Sequence, residues 1–393
     1  MESHQLFQFQ CATSNKAPPL IMPHIVLIFS LLLYVLWVPF ASGCDLYLTK
    51  SRLPGVGRGI FAGRNFEEDE LLLYSPSLIV LHGYSSRNQL DNYVFSTFES
   101  NFHVISLNYV CIVNHAEEIN VARYLHDSSG PTPSSIQATI PHIAYSAVDA
   151  KTVKPIRAGE ELFLTYGGPT WFSQRYLGSV NYLDASQHET SIDPIMIETE
   201  PVLRHCISDV KAELSNLPLA GEGLFAQKSF VKGEIVSISP VLALSTSEWY
   251  VGRMETVLMN YCLTKVGSQV AFLPLGHLAT INHASDHTAN VAMAWFEWSP
   301  GDLHRSFNMS LSALLSASVA SLDVQVMATR DIEVGEEITM NYGPAWLDAW
   351  SQYLAERIAW MTSENSHDET TMPIFRNPIT APDSMTFQSH WMV

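Results

Sequence analysis

The chain has 393 residues, enough for two domains of ordinary size that each bury a core. Hydrophobic residues make up 47% and charged residues only 15%, a globular composition that argues against disorder. The formal net charge of −18 argues against direct nucleic-acid binding, which depends on Lys and Arg neutralising phosphates. Such an acidic surface suits a basic partner or serves solubility alone.

The first predicted element is an uncharged run from Ile25 to Val38, "IVLIFSLLLYVLWV", followed by Pro39 and "FASGC". A core of that length is short for a membrane span and fits the apolar part of a secretory signal, with Ala41 and Gly43 placed for cleavage before Cys44. The long, weakly basic stretch before it leaves an uncleaved anchor, attached to a membrane through residues 25–38, as the alternative. Residues 1–43 are therefore expected to be a signal peptide or signal anchor and the protein to enter the secretory pathway, as a secreted, lumenal or membrane-anchored chain. It stays intracellular if the segment is unused. Cleavage leaves Cys44, Cys111, Cys206 and Cys262, whose spacing does not reveal a pairing. No Cys-x-x-Cys or cysteine–histidine cluster occurs, so no metal site is expected. Asn308-Met309-Ser310 is a glycosylation sequon, meaningful only in the secretory pathway.

Past this segment the chain repeats itself. "GVGRGIFAGRNFEEDELL", from Gly55, returns as "AGEGLFAQKSFVKGEIV", from Ala220. "VNHAEEINV" returns as "INHASDHTANV", and "KPIRAGEELFLTYGGPTW" as "TRDIEVGEEITMNYGPAW". The interval between copies grows from 164 residues (Gly57 to Gly221) to 168 (Asn114 to Asn282) and 176 (Tyr166 to Tyr342), a drift of loop-sized insertions. Three blocks in one order, twice, describe an internal duplication.

Within each copy the pattern is that of β-structure. "ELLLYSPSLIVL" and "EIVSISPVLALS" are short apolar runs bounded by turn residues, as expected of buried strands. "AGEELFLTYG" and "VGEEITMNYG" each put a Gly-Glu turn before a strand and a Gly after it. Glu160, Glu161, Glu336 and Glu337 could be paired carboxylates for acid–base work, but a solvated turn, with one glutamate bonding locally, is the expectation. Helix is expected in "SEWYVGRMETVLMNYCLTKV" and "AWLDAWSQYLAERIAW", and a loose tail after Ser363. The expected layout is a domain over 46–177, a linker over 178–216, a second domain over 217–350, and a C-terminal helix and tail over 351–393.

These blocks resemble the SET-domain family of protein lysine methyltransferases, whose signature is an early Gly-x-Gly, a central Asn-His with a later Asn, and a terminal Gly-Glu-Glu-Leu leading to Tyr-Gly. Copy one matches with Gly57/Gly59, Asn114-His115 with Asn120, and Gly159-Glu160-Glu161-Leu162 leading to Tyr166-Gly167. Copy two matches with Gly221/Gly223, Asn282-His283 with Asn290, and Gly335-Glu336-Glu337-Ile338 leading to Tyr342-Gly343. The resemblance implies two tandem SET-like folds, mainly β with short helices (α+β), behind the hydrophobic segment. It further implies S-adenosylmethionine as cofactor, held at Gly57, Gly59, Asn114 and His115 or at Gly221, Gly223, Asn282 and His283. Tyr166 and Tyr342 correspond to the family's catalytic tyrosine, and the partner is a lysine-bearing protein.

Each of those residues also has a structural reading. The glycines suit a tight hairpin, the asparagines a satisfied turn, the histidines a buried hydrogen bond and the tyrosines strand packing. Trp171 and Trp346 either wall a lysine channel or pack a terminal segment. Both copies depart from the pattern. Ile119 replaces a proline, copy two stretches the interval to Asn290 by two residues, and Thr165 or Asn341 stands where aspartate usually precedes the tyrosine. One active and one degenerate copy is the expectation, on a non-histone substrate given the secretory signal. The alternatives are a catalytically degenerate SET-derived binding module and a membrane-anchored scaffold.

Overall fold

The computed structural model describes residues 43–81, 89–96, 102–125, 144–167, 171, 203–218, 220–245, 258, 260–264, 269–317 and 319–363. The expected signal or anchor, the stretch 183–201 within the expected linker and the tail after Ser363 lie outside them, as does most of the first expected helix. No helix among the described residues is long and apolar enough to cross a membrane.

The copy-one strands are β1 (Leu46–Lys50), β2 (Arg58–Ala62), β3 (Leu71–Leu81), β4 (Val94–Ser96), β5 (Phe102–Ser106), β6 (Asn114–His115), β7 (Val121–Leu125), β8 (Ala144–Thr152) and β9 (Phe163–Leu164). A short strand β10 (His205–Cys206) precedes their copy-two counterparts. These are β11 (Val210–Leu214), β12 (Glu222–Ala226), β13 (Ile235–Ser245), β14 (Leu263–Thr264), β15 (Val270–Pro274), β16 (Asn282–His283), β17 (Val291–Phe296), β18 (Leu322–Ala328) and β19 (Glu337–Met340). The α-helices among the described residues are α1 (Asp302–Phe307), α2 (Leu311–Leu315) and α3 (Pro344–Met361). The chain is thus mainly β with short helices, as the turn-bounded apolar runs predict, and α3 covers the second expected helix.

The duplication reaches into the topology. Copy one orders its sheet β4-β5-β3-β8-β7, and copy two repeats this as β14-β15-β13-β18-β17. A register shift falls at Leu71/Leu73 in β3 and at Ile235/Ser237 in β13, the same place in each copy. Bulges of this kind bend a strand and raise its twist, so their repetition preserves the curvature of both sheets. In each copy the Asn-His strand pairs in parallel with the late strand: Asn114 with Phe163, and Asn282 with Thr339.

The copies share a core. Strand β13 is buried along nearly its whole length, which accounts for an apolar run without alternation. Ile238, Leu242 and Leu244 pack with copy-one residues such as Leu48, Ile60 and Tyr109, whereas Val236, Val241 and Ala243 pack with copy two. Tyr109 and His277, which hold equivalent positions before the two Asn-His pairs, meet edge to face with ring centroids 4.7 Å apart. The Tyr109 hydroxyl donates to the Ile238 carbonyl at 2.6 Å. At the start of the copies β1 pairs with β10, and Cys44 is joined to Cys206 by a disulfide with Cα atoms 5.7 Å apart. Cys111 and Cys262 are free and buried. Cys44–Val393 accordingly forms one compact unit.

Candidate functional site

In both copies the three repeated blocks converge on one knot, and its centre is a glutamate. Glu161 is 2% exposed, and its carboxylate accepts from the Ser51 hydroxyl at 2.6 Å, the Arg52 amide at 2.9 Å and the Asn114 side-chain amide at 3.0 Å. Glu337 accepts the same three bonds, from the Ser215 hydroxyl at 2.6 Å, the Asn216 amide at 2.9 Å and the Asn282 side chain at 3.2 Å. The expectation of solvated turn glutamates is therefore corrected for the second of each pair. A carboxylate has enough lone pairs to close three orphan donors at once, which no neutral side chain of that size does. Burial pushes the Glu161 carboxyl above its ordinary value, against the pull of those donors.

The second glycine of each Gly-x-Gly exists for that carboxylate. A Cβ on Gly59 would stand 2.3 Å from Glu161 Oε1, and one on Gly223 would stand 2.3 Å from Glu337 Oε1. The close approach that the glycines permit is thus to the protein's own glutamate. The first glycines serve a turn: Gly57 has φ +83° and Gly221 φ +73°, conformations that favour glycine. Replacing Gly223 with alanine is expected to lower stability by about 2–3 kcal/mol, the cost of an overpacked buried site. Chemical denaturation with an unshifted midpoint would contradict this.

The asparagines complete the knot. The Asn114 amide also donates to the Arg58 carbonyl at 2.9 Å and Asn282 to the Glu222 carbonyl at 2.9 Å. Asn120 brackets the next strand, donating to the Glu161 carbonyl at 2.9 Å and accepting from the Phe163 amide at 2.7 Å. Asn290 does the same with the Glu337 carbonyl at 2.8 Å and the Thr339 amide at 2.8 Å, so the two-residue stretch before it leaves the bracket intact. The side-chain NH2 groups of Asn114 and Asn282 are thus spent within the protein.

The histidines hold the tyrosines. His115 Nδ1 accepts from the Tyr166 amide at 3.0 Å, and His283 Nδ1 from the Tyr342 amide at 3.1 Å. Burial lowers both imidazoles below their ordinary values, so both accept as neutral rings at pH 7. The Tyr166 hydroxyl donates to the Val113 carbonyl at 3.0 Å and the Tyr342 hydroxyl to the Ile281 carbonyl. Burial raises both phenols well above their ordinary value, so both stay protonated. Each tyrosine has an aromatic neighbour: Trp171 lies 4.7 Å from Tyr166, and Trp346 lies 5.1 Å from Tyr342 and 4.7 Å from His283. Trp350 stacks beyond Trp346 at 5.6 Å.

Around these equal cores the two copies differ. Asn114, His115, Tyr166 and Trp171 line a cleft of about 70 Å³ whose far wall is Val319 and Ala320 of copy two. Val319 approaches to 3.6 Å of the position that a Cβ on Gly57 would take, whereas nothing lies within 4 Å of the equivalent position on Gly221. Arg58, between the two glycines, forms an ion pair at 2.5 Å with Asp323 of copy two and lies over the Trp298 ring. Glu222, its counterpart, accepts from the Tyr74 hydroxyl of copy one. Each copy thus grips the middle residue of the other's Gly-x-Gly. Arg58 and Glu222 were not among the expected site residues, because opposite charges at one repeat position give no common motif. Glu161 and Glu337 were visible only as part of a Gly-Glu-Glu turn.

The family model described as "SET domain" matches residues 57–167 and 221–343, together more than half of the chain. No curated protein matches it. Among solved structures, a Plasmodium falciparum protein assigned as a histone methyltransferase is 20% identical, with a TM-score of 0.25, over 33% of this chain and 97% of that one. A humanized mutant of the Chaetomium thermophilum Polycomb Repressive Complex 2, bound to an inhibitor, is 23% identical with a TM-score of 0.24, over 33% of this chain and 16% of that one. The same complex in an autoinhibited conformation bound to S-adenosylmethionine is 20% identical with a TM-score of 0.23, over 34% of this chain and 17% of that one.

Proposed function

Because the chain belongs to the SET-domain family, we propose that it is an S-adenosylmethionine-dependent methyltransferase acting on lysine side chains of a non-histone protein. The observation that carries this reading is a protonated tyrosine whose backbone amide is held by a neutral histidine and whose hydroxyl is held by a backbone carbonyl, built the same way in both copies. When bound, the cofactor supplies an electrophilic methyl on a sulfonium, whose C–S bond breaks with its electron pair left on sulfur as nitrogen bonds the carbon.

The rest falls to this chain's residues. A lysine amine with an ordinary pKa of about 10.4 is mostly protonated at pH 7, and a narrow aromatic channel favours its neutral form by desolvation. A tyrosine that donates its proton to a backbone carbonyl keeps its oxygen lone pairs for an amine N–H. That bond fixes the direction of the nitrogen lone pair and turns an encounter into an oriented displacement. His283, Tyr342, Trp346 and Trp350 group their rings in copy two, and such aromatic faces suit a planar adenine and a sulfonium cation.

Entry into the secretory pathway is proposed with it. The apolar run at 25–38 motivates it, and the Cys44–Cys206 disulfide, which persists in oxidising compartments, supports it. The net charge of −18 favours a basic partner.

For copy one a second reading, a catalytically degenerate binding module, is favoured by a cleft that Val319 and Ala320 of copy two wall off. Calorimetric titration of S-adenosylmethionine into the full chain tests the proposal. Saturable binding is expected, and no binding by folded protein would sink it.

A further inference from the structure

The two channel tyrosines are built alike, but the strand beside each is not. Arg123 in β7 pairs with Ala150 of β8, and Met293 in β17 pairs with Val326 of β18. Ala150 and Val326 lie six residues before Ile156 and Ile332, which form the same bridge to Phe66 and Phe230 in their copies. Arg123 and Met293 are therefore topologically equivalent. The same ladders set Phe95, across from Val104, opposite Leu263, across from Phe272. Copy one thus has an arginine and a phenylalanine where copy two has a methionine and a leucine.

The Arg123 guanidinium is wedged beside Tyr166. One nitrogen, Nη2, donates at 3.3 Å to the carbonyl of Thr165, the residue before Tyr166, and its carbon sits 3.8 Å from the centroid of the Phe95 ring. Its other terminal nitrogen, Nη1, is buried without a hydrogen-bond partner, and no carboxylate pairs with Arg123 among the described residues. Burial lowers its pKa to about 10, which still leaves it charged at pH 7. A lysine that arrives protonated from solvent meets this like charge beside Tyr166 at close range, where partial burial weakens screening, before the channel can desolvate it to the neutral form.

Resting on the methyltransferase reading above, we infer that Arg123 bars lysine from copy one, and that copy two, with the uncharged Met293 at the equivalent position, is the copy that acts on lysine. On its other side the copy-one cleft is walled by Val319 and Ala320 of copy two. Copy one then serves as a scaffold whose knot buttresses the shared core.

The test uses the full chain, S-adenosylmethionine carrying a labelled methyl, and an array of lysine peptides. Tyr342→Phe is expected to lower label transfer at least ten-fold, with little change in the peptide KM. Adding Arg123→Gln removes the charge yet keeps a donor for the Thr165 carbonyl, and Arg123→Met installs the copy-two residue. Either is expected to raise transfer at least five-fold above Tyr342→Phe alone. Undiminished transfer by Tyr342→Phe would overturn the assignment of copy two. No gain from either Arg123 substitution, in protein with an unchanged melting curve, would overturn the barring role. Absence of label with every chain, unmodified protein included, would remove the methyltransferase reading and this inference with it. The other two failures leave that reading standing.

Discussion

Replacing Cys206 with serine is expected to lower the unfolding free energy by about 3–5 kcal/mol, the largest single-residue effect in this protein. The disulfide to Cys44 spans 162 residues of sequence, so it removes a long loop's freedom from the unfolded chain; the loop-entropy relation gives about 5 kcal/mol for that length. Its folded-state surroundings are already ordered. Cys206 lies in the ladder opposite Tyr47, and the Ser208 hydroxyl accepts from the Asp45 amide at 2.9 Å beside it. The urea midpoint should fall, and the slope should rise because an unlinked unfolded chain exposes more surface. Reductant should reproduce the loss in the unmodified protein and add nothing in the Cys206→Ser variant. Cys111 and Cys262 will not confuse the result, since burial pushes the Cys111 thiol up to about 12 and raises that of Cys262 as well. A midpoint unmoved by both treatments would mean that the linkage does not hold the copies together.

Acidification should be nearly as damaging, through two histidines at the seam. His277 is 3% exposed, against the Tyr109 ring, and its Nδ1 has no hydrogen-bond partner. Burial lowers its pKa to about 3, with a smaller push from His205, whose own pKa burial lowers to about 4. The sign follows from the direction. The unfolded chain takes up a proton on each near pH 6.5, while the folded chain resists until pH 4 or below. Stability is therefore fully present above about pH 6.5 and drains away as pH falls toward the folded values. For His277 alone the loss by pH 4 is about 3 kcal/mol, at roughly 1.4 kcal/mol per pH unit. Unfolding free energy measured from pH 7 to 4.5 should fall steeply, and His277→Gln should remove about one proton's worth of that slope. An identical slope in the variant would show that His277 is already protonated in the folded chain.

The buried clamp and the seam also separate what was legible in the sequence from what was not. Three blocks recurring in order revealed the duplication, the β-rich class and the family, because each block must satisfy the same local geometry twice. The strands β3 and β13 and the helix α3 followed from apolar runs and turn residues. Asn114, His115 and Tyr166, with Asn282, His283 and Tyr342, were legible as a set, and each set closes one knot. That the turn allows one bonded glutamate was legible, but not that Glu161 and Glu337 each close a knot, because an acidic pair in a turn is ordinarily solvated. Only the third dimension delivers a serine, a backbone amide and an asparagine to the same carboxylate.

What the sequence by itself determined is the local content of each copy: strands, turns and a repeated constellation of side chains within short reach of one another. What only the tertiary structure decided is how the copies differ in use. Arg58 meets Asp323, Val319 meets the Gly57 turn, Cys44 meets Cys206, and Tyr109 meets His277. Each of these contacts joins residues more than 150 positions apart. No periodicity or motif encodes such a pair, because the chain's own spacing constrains only near neighbours, while packing of the shared core selects the distant ones.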